Sequence, residues 1–343
     1  MYTLPLKSEH LTLSPRMGDF SGWEMPLFYS SAAKEHSAVR ESAGIFDISH
    51  MGQVYVSGAP AEGFLNGLFT NDVTKLKEGR SHYTFLLNEQ GGVIDDLILY
   101  RLGAEEFFIV FNGARAEEAV QILQESATEG VTIDWQREVV GLTIQGPKVA
   151  ELAPELIGTS IPDKRNFLIP QEQGVAATTG YTGEHGFEWF GPIEAGRQLW
   201  LKAIELGVAP CGLVARDSLR LEAGLPLNGQ DLTRETSPIQ AGLGFAVKLK
   251  KSAFQGKDAL DKGAFNTQTL KGFTSSGPIP RSGYDIISAS GETVGKVSSG
   301  GRPPGYKSTI GLAWLQNAHL TEELQLKVRE KTFPITLTKT PFL

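Results

Sequence analysis

Leu87-Asn88-Glu89-Gln90-Gly91-Gly92-Val93-Ile94-Asp95-Asp96-Leu97-Ile98-Leu99-Tyr100 sets two adjacent carboxylates inside an otherwise apolar strand. Side chains alternate faces along a strand. One face therefore carries Ile94, Asp96, Ile98 and Tyr100, and the other Val93, Asp95, Leu97 and Leu99. At least one carboxylate looks into apolar surroundings, where an ionised group without a partner is costly. It needs a cationic or hydrogen-bonding partner, or a task. From spacing alone, an Asp at a strand start that bonds backbone N–H groups near the Gly91-Gly92 turn accounts for the pair equally well.

Around this stretch the pattern is a meander. Tyr83 to Leu87 turns at Asn88–Gly92 into Val93 to Arg101, and Gly103-Ala104-Glu105 turns into Phe107 to Asn112. If the parities hold, Tyr83, Asp96, Val110 and Asn112 share a face. Helical spacing of apolar residues predicts helices over 30–43, 60–69 and 114–125. Residues 45–56 read as strand. The second half predicts a strand at 139–145, a helix near 148–156, strands at 174–180 and 186–190, and helices at 192–206 and 212–223. The stretch 237–250 is short and mixed. From about residue 272 short strands alternate with Gly/Pro/Ser turns and one brief polar helix, the pattern of a separate all-β module. Strands and helices alternate before it, so the fold class is α+β.

The 343 residues are too many for one simple core and imply two or three domains. Glycine, 39 residues, is about 11% against a usual ~7%, which favours tight turns and a β-rich chain. The net charge of −7 offers no general attraction to nucleic acid or an anionic membrane. Cys211 stands alone, so no internal disulfide and no Cys-based zinc site can form. Met1 to Lys7 lacks the apolar run of a signal peptide, and no segment approaches ~20 uninterrupted apolar residues. A cytoplasmic location is expected.

Walker A, strand-linked G-x-G-x-x-G, H-E-x-x-H and G-x-S-x-G motifs are all absent. The six His residues have no metal spacing. Three features remain. The first is the Asp95-Asp96 strand. The second is Gly180-Tyr181-Thr182-Gly183-Glu184-His185-Gly186-Phe187-Glu188, where Glu188 opposes Phe187 and Trp189 across a strand. Taken alone, Glu188 reads first as a structural ion pair. The third is Ala215-Arg216-Asp217-Ser218-Leu219-Arg220 on a helix. Arg216 and Arg220 share a face, where like charges repel, and Asp217 can pair with Arg220 at i,i+3. Arg216 then wants an anion or a polar partner. A Glu and an Arg together can read the amide and amino edge of a planar heterocycle, Glu accepting from N–H and Arg donating to C=O. A network that merely ties a helix to a sheet explains the same residues.

The three segments together resemble the aminomethyltransferase (T-protein) family of the glycine cleavage system. So do Met17-Gly18-Asp19-Phe20-Ser21-Gly22-Trp23-Glu24-Met25-Pro26-Leu27, Gly44-Ile45-Phe46-Asp47-Ile48-Ser49-His50-Met51-Gly52, Thr70-Asn71-Asp72, Gln145-Gly146-Pro147, and Lys248 with Phe254-Gln255-Gly256-Lys257-Asp258-Ala259-Leu260. The resemblance covers nearly the whole chain. It implies a three-domain cloverleaf around a central folate channel: residues 1–46 with 138–250, residues 47–137, and residues 251–343, mainly an all-β barrel. It also implies transfer of the methylene of the aminomethyl group on the lipoyl arm of H-protein to tetrahydrofolate. The products are 5,10-methylenetetrahydrofolate, ammonia and dihydrolipoyl H-protein. Tetrahydrofolate is thus the expected co-substrate, with no metal, and H-protein the expected partner.

By the same resemblance Asp96 falls on the catalytic carboxylate and Glu188 with Arg216 on the pterin-recognising pair. Tyr83, Val110, Asn112 and Met51 match positions lining the folate cavity, and Tyr181 fits a similar place. Relatives commonly carry Asp where this chain has His185 and Tyr where it has Asn228. A folate-dependent demethylase of the same family would share the pterin pair without the lipoyl partner. A folate-dependent helper of iron–sulfur maturation carries a Lys-Gly-Cys-Tyr segment, whereas Lys250 to Lys257 here has no Cys. Six Lys against two Asp between Lys248 and Lys271 make a basic stretch in an acidic chain. It reads as a solvated face or as a dock for an acidic H-protein.

Overall fold

The computed structural model describes residues 1–263 and 267–343. Two compact units divide the chain: Met1–Thr84 with Asp95–Asp217, and Phe85–Ile94 with Ser218–Leu343.

The first unit holds one large sheet entire and most of a second. Six strands run in the order Leu168–Ile169, Val175–Ala177, Gly186–Pro192, Val139–Gln145, Gly44–Asp47, Ala209–Pro210. Phe187 pairs with Ile144, and Trp189 with Leu142. These four share a face and pack in one core with Val149 and Ala153 of the Val149–Ile157 helix and Leu199, Trp200 and Ala203 of the Ile193–Glu205 helix. Strand alternation therefore turns Glu188 and Phe190 to the opposite face.

The second sheet has the order Arg80–Leu87, Val93–Arg101, Glu106–Phe111, Gly52–Ser57, Thr132–Gln136. Ile98 pairs with Val110 and Tyr100 with Phe108, so these four share a face. That face meets the Glu188 face of the first sheet: the Phe108 and Phe190 ring centroids are 5.5 Å apart, and Tyr100 lies 6.4 Å from Phe190. A third, small sheet joins Tyr2–Thr3, Trp23–Phe28 and Arg16–Phe20.

The expected single strand over 45–56 is two strands, one in each large sheet. The break falls at Ile48–Met51, where the Asp47 Oδ1 atom accepts from Ser49 N–H (2.8 Å) and Met51 N–H bonds Ile48 C=O (3.0 Å). An Asp that captures the backbone two residues on makes a turn in place of a ladder. This turn carries the chain from one sheet to the other. The expected strand over 174–180 ends at Ala177, where Thr179 N–H turns back to bond Ala177 C=O (2.8 Å); Thr178 Oγ1 donates to Lys164 C=O (2.8 Å) and Thr179 Oγ1 to Glu188 (2.6 Å).

In the second unit the strands Gln268–Ser275, Thr309–Gln316, Thr293–Gly301, Asp285–Ser288, Leu324–Val328 and Lys331–Thr338 close into a barrel. Phe273, Ile286, Val294, Val297, Ala313, Leu315, Leu324 and Leu326 fill its interior. The all-β module is thus present, and the brief polar helix is a single 3-10 turn at Asn317–His319. The Asn88–Gly92 turn also belongs to this unit. Gly92 lies so close to Arg234 C=O that a Cβ there would sit 1.7 Å from the oxygen, so no other residue fits. Among the described residues no helix is long and apolar enough to cross a membrane.

Candidate active site

The carboxylate pair of Val93–Arg101 is held by Asn112, at the end of the neighbouring strand. Asn112 Nδ2 donates to Asp95 Oδ1 (2.7 Å), to Asp96 Oδ1 (3.2 Å) and to Asp96 C=O (2.8 Å), while its backbone N–H donates to Asp95 Oδ2 (3.0 Å). Asp96 N–H adds a bond to Asp95 Oδ1 (3.0 Å). The turn at Gly91-Gly92 takes no part: Asn88 Oδ1, not an Asp, accepts from Gly92 N–H (2.8 Å). The strand-start reading of the pair is therefore replaced by a built cluster.

The two carboxylates differ. Asp95 is wholly buried and Asp96 half-buried. Burial and then the neighbouring Asp96 charge push the Asp95 carboxyl well above the usual range, against the pull of its N–H bonds. Asp96 is left with the accessible position, and Tyr83 OH donates to its Oδ2 at 2.8 Å. Burial and the Asp96 charge keep the Tyr83 phenol protonated, well above its ordinary range.

Glu188 faces the same space from the other sheet. Thr179 Oγ1 donates to its Oε2 at 2.6 Å and Tyr100 OH at 3.4 Å. Burial raises its pKa, opposed by those donors and by the Arg216 cation. Arg216, on the helix Leu213–Glu222, lays its guanidinium over the Tyr181 ring, 4.5 Å from the centroid. That is a cation–π contact that fixes the plane of the fork. Tyr181 in turn is near enough to Tyr83 to influence its ionisation. Asp96 bonded by Tyr83, Arg216 stacked on Tyr181, and Glu188 are the polar rim of one unit.

Val110 lies on the same sheet face, buried beside Ile98 and Gln53. Met51 is half-buried on the inter-sheet turn. His185 is engaged elsewhere, its Nε2 2.9 Å from Pro162 C=O. Asn228 lies in the other unit, 3.4 Å from Ile94 C=O. Sequence reasoning missed the supports of Glu188. Tyr100 was readable, since it shares parity with Asp96, but Thr179 sits just past its strand and carries no periodic signal. Among the described residues no group of three or more His, Cys, Asp or Glu is arranged to hold a metal ion.

A two-sheet unit bearing this rim, followed by a closed barrel, is the fold of a known class of enzyme. The model of the GCVT N-terminal domain matches residues 6–251, and that of the glycine cleavage T-protein C-terminal barrel domain matches residues 268–343. The chain is 42% identical to an aminomethyltransferase of Thermus thermophilus, covering 100% of this chain and 99% of the relative. It is 39% identical to that of Bacillus subtilis over 94% of each. The crystal structure of glycine cleavage system aminomethyltransferase T from Bartonella henselae superposes with a TM-score of 0.94 at 34% identity, over 100% of this chain and 98% of that one. The chain belongs to the glycine cleavage T-protein family, the aminomethyltransferases.

Proposed function

We propose that this aminomethyltransferase takes its one-carbon unit from the lipoyl arm of an H-protein and passes it to tetrahydrofolate. The observation that carries the reading is the pairing, in one unit, of a half-buried Asp96 with a Glu188–Arg216 reader. Such a reader fits a pterin edge: Glu188 accepts from ring N–H and amino groups, and Arg216 donates to the ring C=O. Tyr181 holds the guanidinium plane, and Thr179 with Tyr100 holds the carboxylate. Tyr83, Asn112, Val110 and Met51 line the same recess.

In the transfer, one C–S and one C–N bond of the aminomethyl thioether are exchanged for two C–N bonds to folate. The two displaced N–H protons leave with the thiol and with ammonia. Positive charge develops at the attacking amine, and a carboxylate beside it stabilises that charge and takes up a proton. Asp96 is the group so placed. Tyr83 OH and Asn112 Nδ2, each donating to it, fix its orientation. Asp95 completes the cluster from its buried side.

The basic stretch Lys248–Lys271 is the proposed contact for an acidic carrier, and the cytoplasm is the proposed compartment. The test is an assay with aminomethylated lipoyl H-protein and tetrahydrofolate that follows methylenetetrahydrofolate and ammonia together. Equal yields of both, each requiring both substrates, are expected. Folate binding without either product would overturn the choice of donor.

A further inference from the structure

Glu35 is a buried carboxylate, 2% exposed, in the first turn of the helix Ala32–Glu41. Among the described residues its hydrogen-bond partners are three backbone N–H groups and no cation. Oε1 accepts from Tyr29 N–H (2.7 Å) and Ser30 N–H (2.8 Å), and Oε2 accepts from Gly212 N–H (2.9 Å). A buried carboxylate is costly unless it is bonded, and bonds to a charged acceptor are the strong ones. The side chain therefore clamps two segments far apart in sequence, 29–30 and 212.

Gly212 directly precedes the helix Leu213–Glu222, and its C=O accepts from Arg216 N–H at 3.1 Å. That bond closes the first helical turn and makes Gly212 the cap residue. Helix caps are commonly Ser, Thr, Asn or Asp, whose side chains bond the helix start. Gly212 has no side chain, and none fits: a Cβ there would lie 2.4 Å from Leu27 C=O. Glu35 supplies the missing group from another helix. It accepts the N–H of the cap residue, as the Glu of a capping box does within its own helix. Its negative charge also stands at the positive end of the helix dipole. Cys211 N–H, bonded to Ile45 C=O at 2.9 Å, ties the preceding residue to the first sheet.

We infer that Glu35 is a positioning residue for tetrahydrofolate binding: by holding Gly212 it fixes where the helix starts, and so where Arg216 stands one turn on. The inference rests on the folate reading of the site. Tyr181 sets the plane of the Arg216 guanidinium, and Glu35 sets the backbone from which that side chain reaches. Both are needed, because a binding group must be held to within about 0.5 Å of its productive place.

The test is a double-mutant cycle on the whole protein, read by titration calorimetry with tetrahydrofolate kept reduced under anaerobic conditions. Glu35→Gln keeps the shape but has one acceptor oxygen, so its NH2 group faces an N–H donor on one side. The dissociation constant should rise about tenfold in this variant, the worth of one hydrogen bond passed on to the reader. Made in the Arg216→Met background, the same change should add less than about twofold, because the group it places is gone. Equal rises in both backgrounds would overturn the inference. So would Glu35→Gln protein that is less stable yet binds within about twofold of wild type, the result of a purely structural role. Should Glu35→Gln not fold, Glu35→Asp decides the matter, since it keeps both oxygens on a stem one methylene shorter. A rise of about threefold that vanishes in Arg216→Met is then expected, and a rise that persists there would overturn the inference. Wild-type protein that binds no tetrahydrofolate at all would instead overturn the folate reading itself.

Discussion

Arg216 and Arg220 stand one turn apart on the same helix, and their surroundings differ in kind. Arg220 is enclosed in the barrel-bearing unit. Its Nη1 donates to Asp231 Oδ2 (2.7 Å) and Leu225 C=O (3.2 Å), and its Nη2 to Ser299 Oγ (2.9 Å). Ser299 Oγ and Leu227 N–H also donate to Asp231 Oδ2, each at 2.8 Å. Every one of those partners is fixed in the fold. Arg216 is half-buried and stacked on an aromatic ring, and its charge acts on the Glu188 carboxylate, which Thr179 and Tyr100 hold by hydrogen bonds. A fork knotted to fixed groups ties the chain together. A fork stacked on a ring has its plane set by that ring.

The sharpest way to break this contrast is to remove each arginine in turn. Arg220→Met leaves Asp231 buried without its counter-charge and should cost about 3–5 kcal/mol of stability. Adding Asp231→Leu should recover most of it. Arg216→Met should cost under about 1 kcal/mol. Thermal denaturation of the three variants checks this, and equal losses for the two single arginine variants would erase the distinction.

Affinity should reverse the order. Arg216→Met is expected to weaken tetrahydrofolate binding by about 2 kcal/mol, the worth of a charge-assisted hydrogen bond. Arg216→Lys should restore little, because an ammonium neither stacks nor forks in the same way. Titration calorimetry reads both.

A smaller effect sharpens the same picture. Because burial raises the Glu188 pKa above 4.5, the native state holds that proton more tightly than the unfolded chain. The stability this confers is fully present below about 4.5 and is lost as pH rises through the raised value. Glu188→Gln abolishes that loss. The stability of the variant relative to wild type should therefore climb as pH rises above 4.5. Urea midpoints across that range test it, and a falling difference would show that Arg216 outweighs burial.

Much of this arrangement was legible in the chain. The strand carrying Asp95 and Asp96, the turn before it, the helices over 61–68 and 193–205 and the C-terminal barrel all carry local signals of period, turn chemistry or glycine. The Glu188 strand was readable because its apolar neighbours alternate with the carboxylate. What escaped reading is made by tertiary contact. The i,i+3 spacing pointed Arg220 at Asp217, and nothing local foretells an ion pair with Asp231, eleven residues on. Asn112 holds two carboxylates that are sixteen and seventeen residues away. The edge strand Thr132–Gln136 and the small N-terminal sheet are short, polar or half-exposed, so periodicity gives them little weight. The Ile48–Met51 turn is decided by the Asp47 side chain bonding its own backbone, which a run of strand-forming residues conceals.

The most direct test of the division between binding and chemistry is Asp96→Asn, measured for tetrahydrofolate affinity and for turnover with aminomethylated H-protein. Asparagine keeps the shape and can still accept from Tyr83 and Asn112, but it carries no charge and takes up no proton. The dissociation constant should stay within about threefold while kcat falls by about two to three orders of magnitude. Turnover unchanged from wild type would contradict the assignment of Asp96.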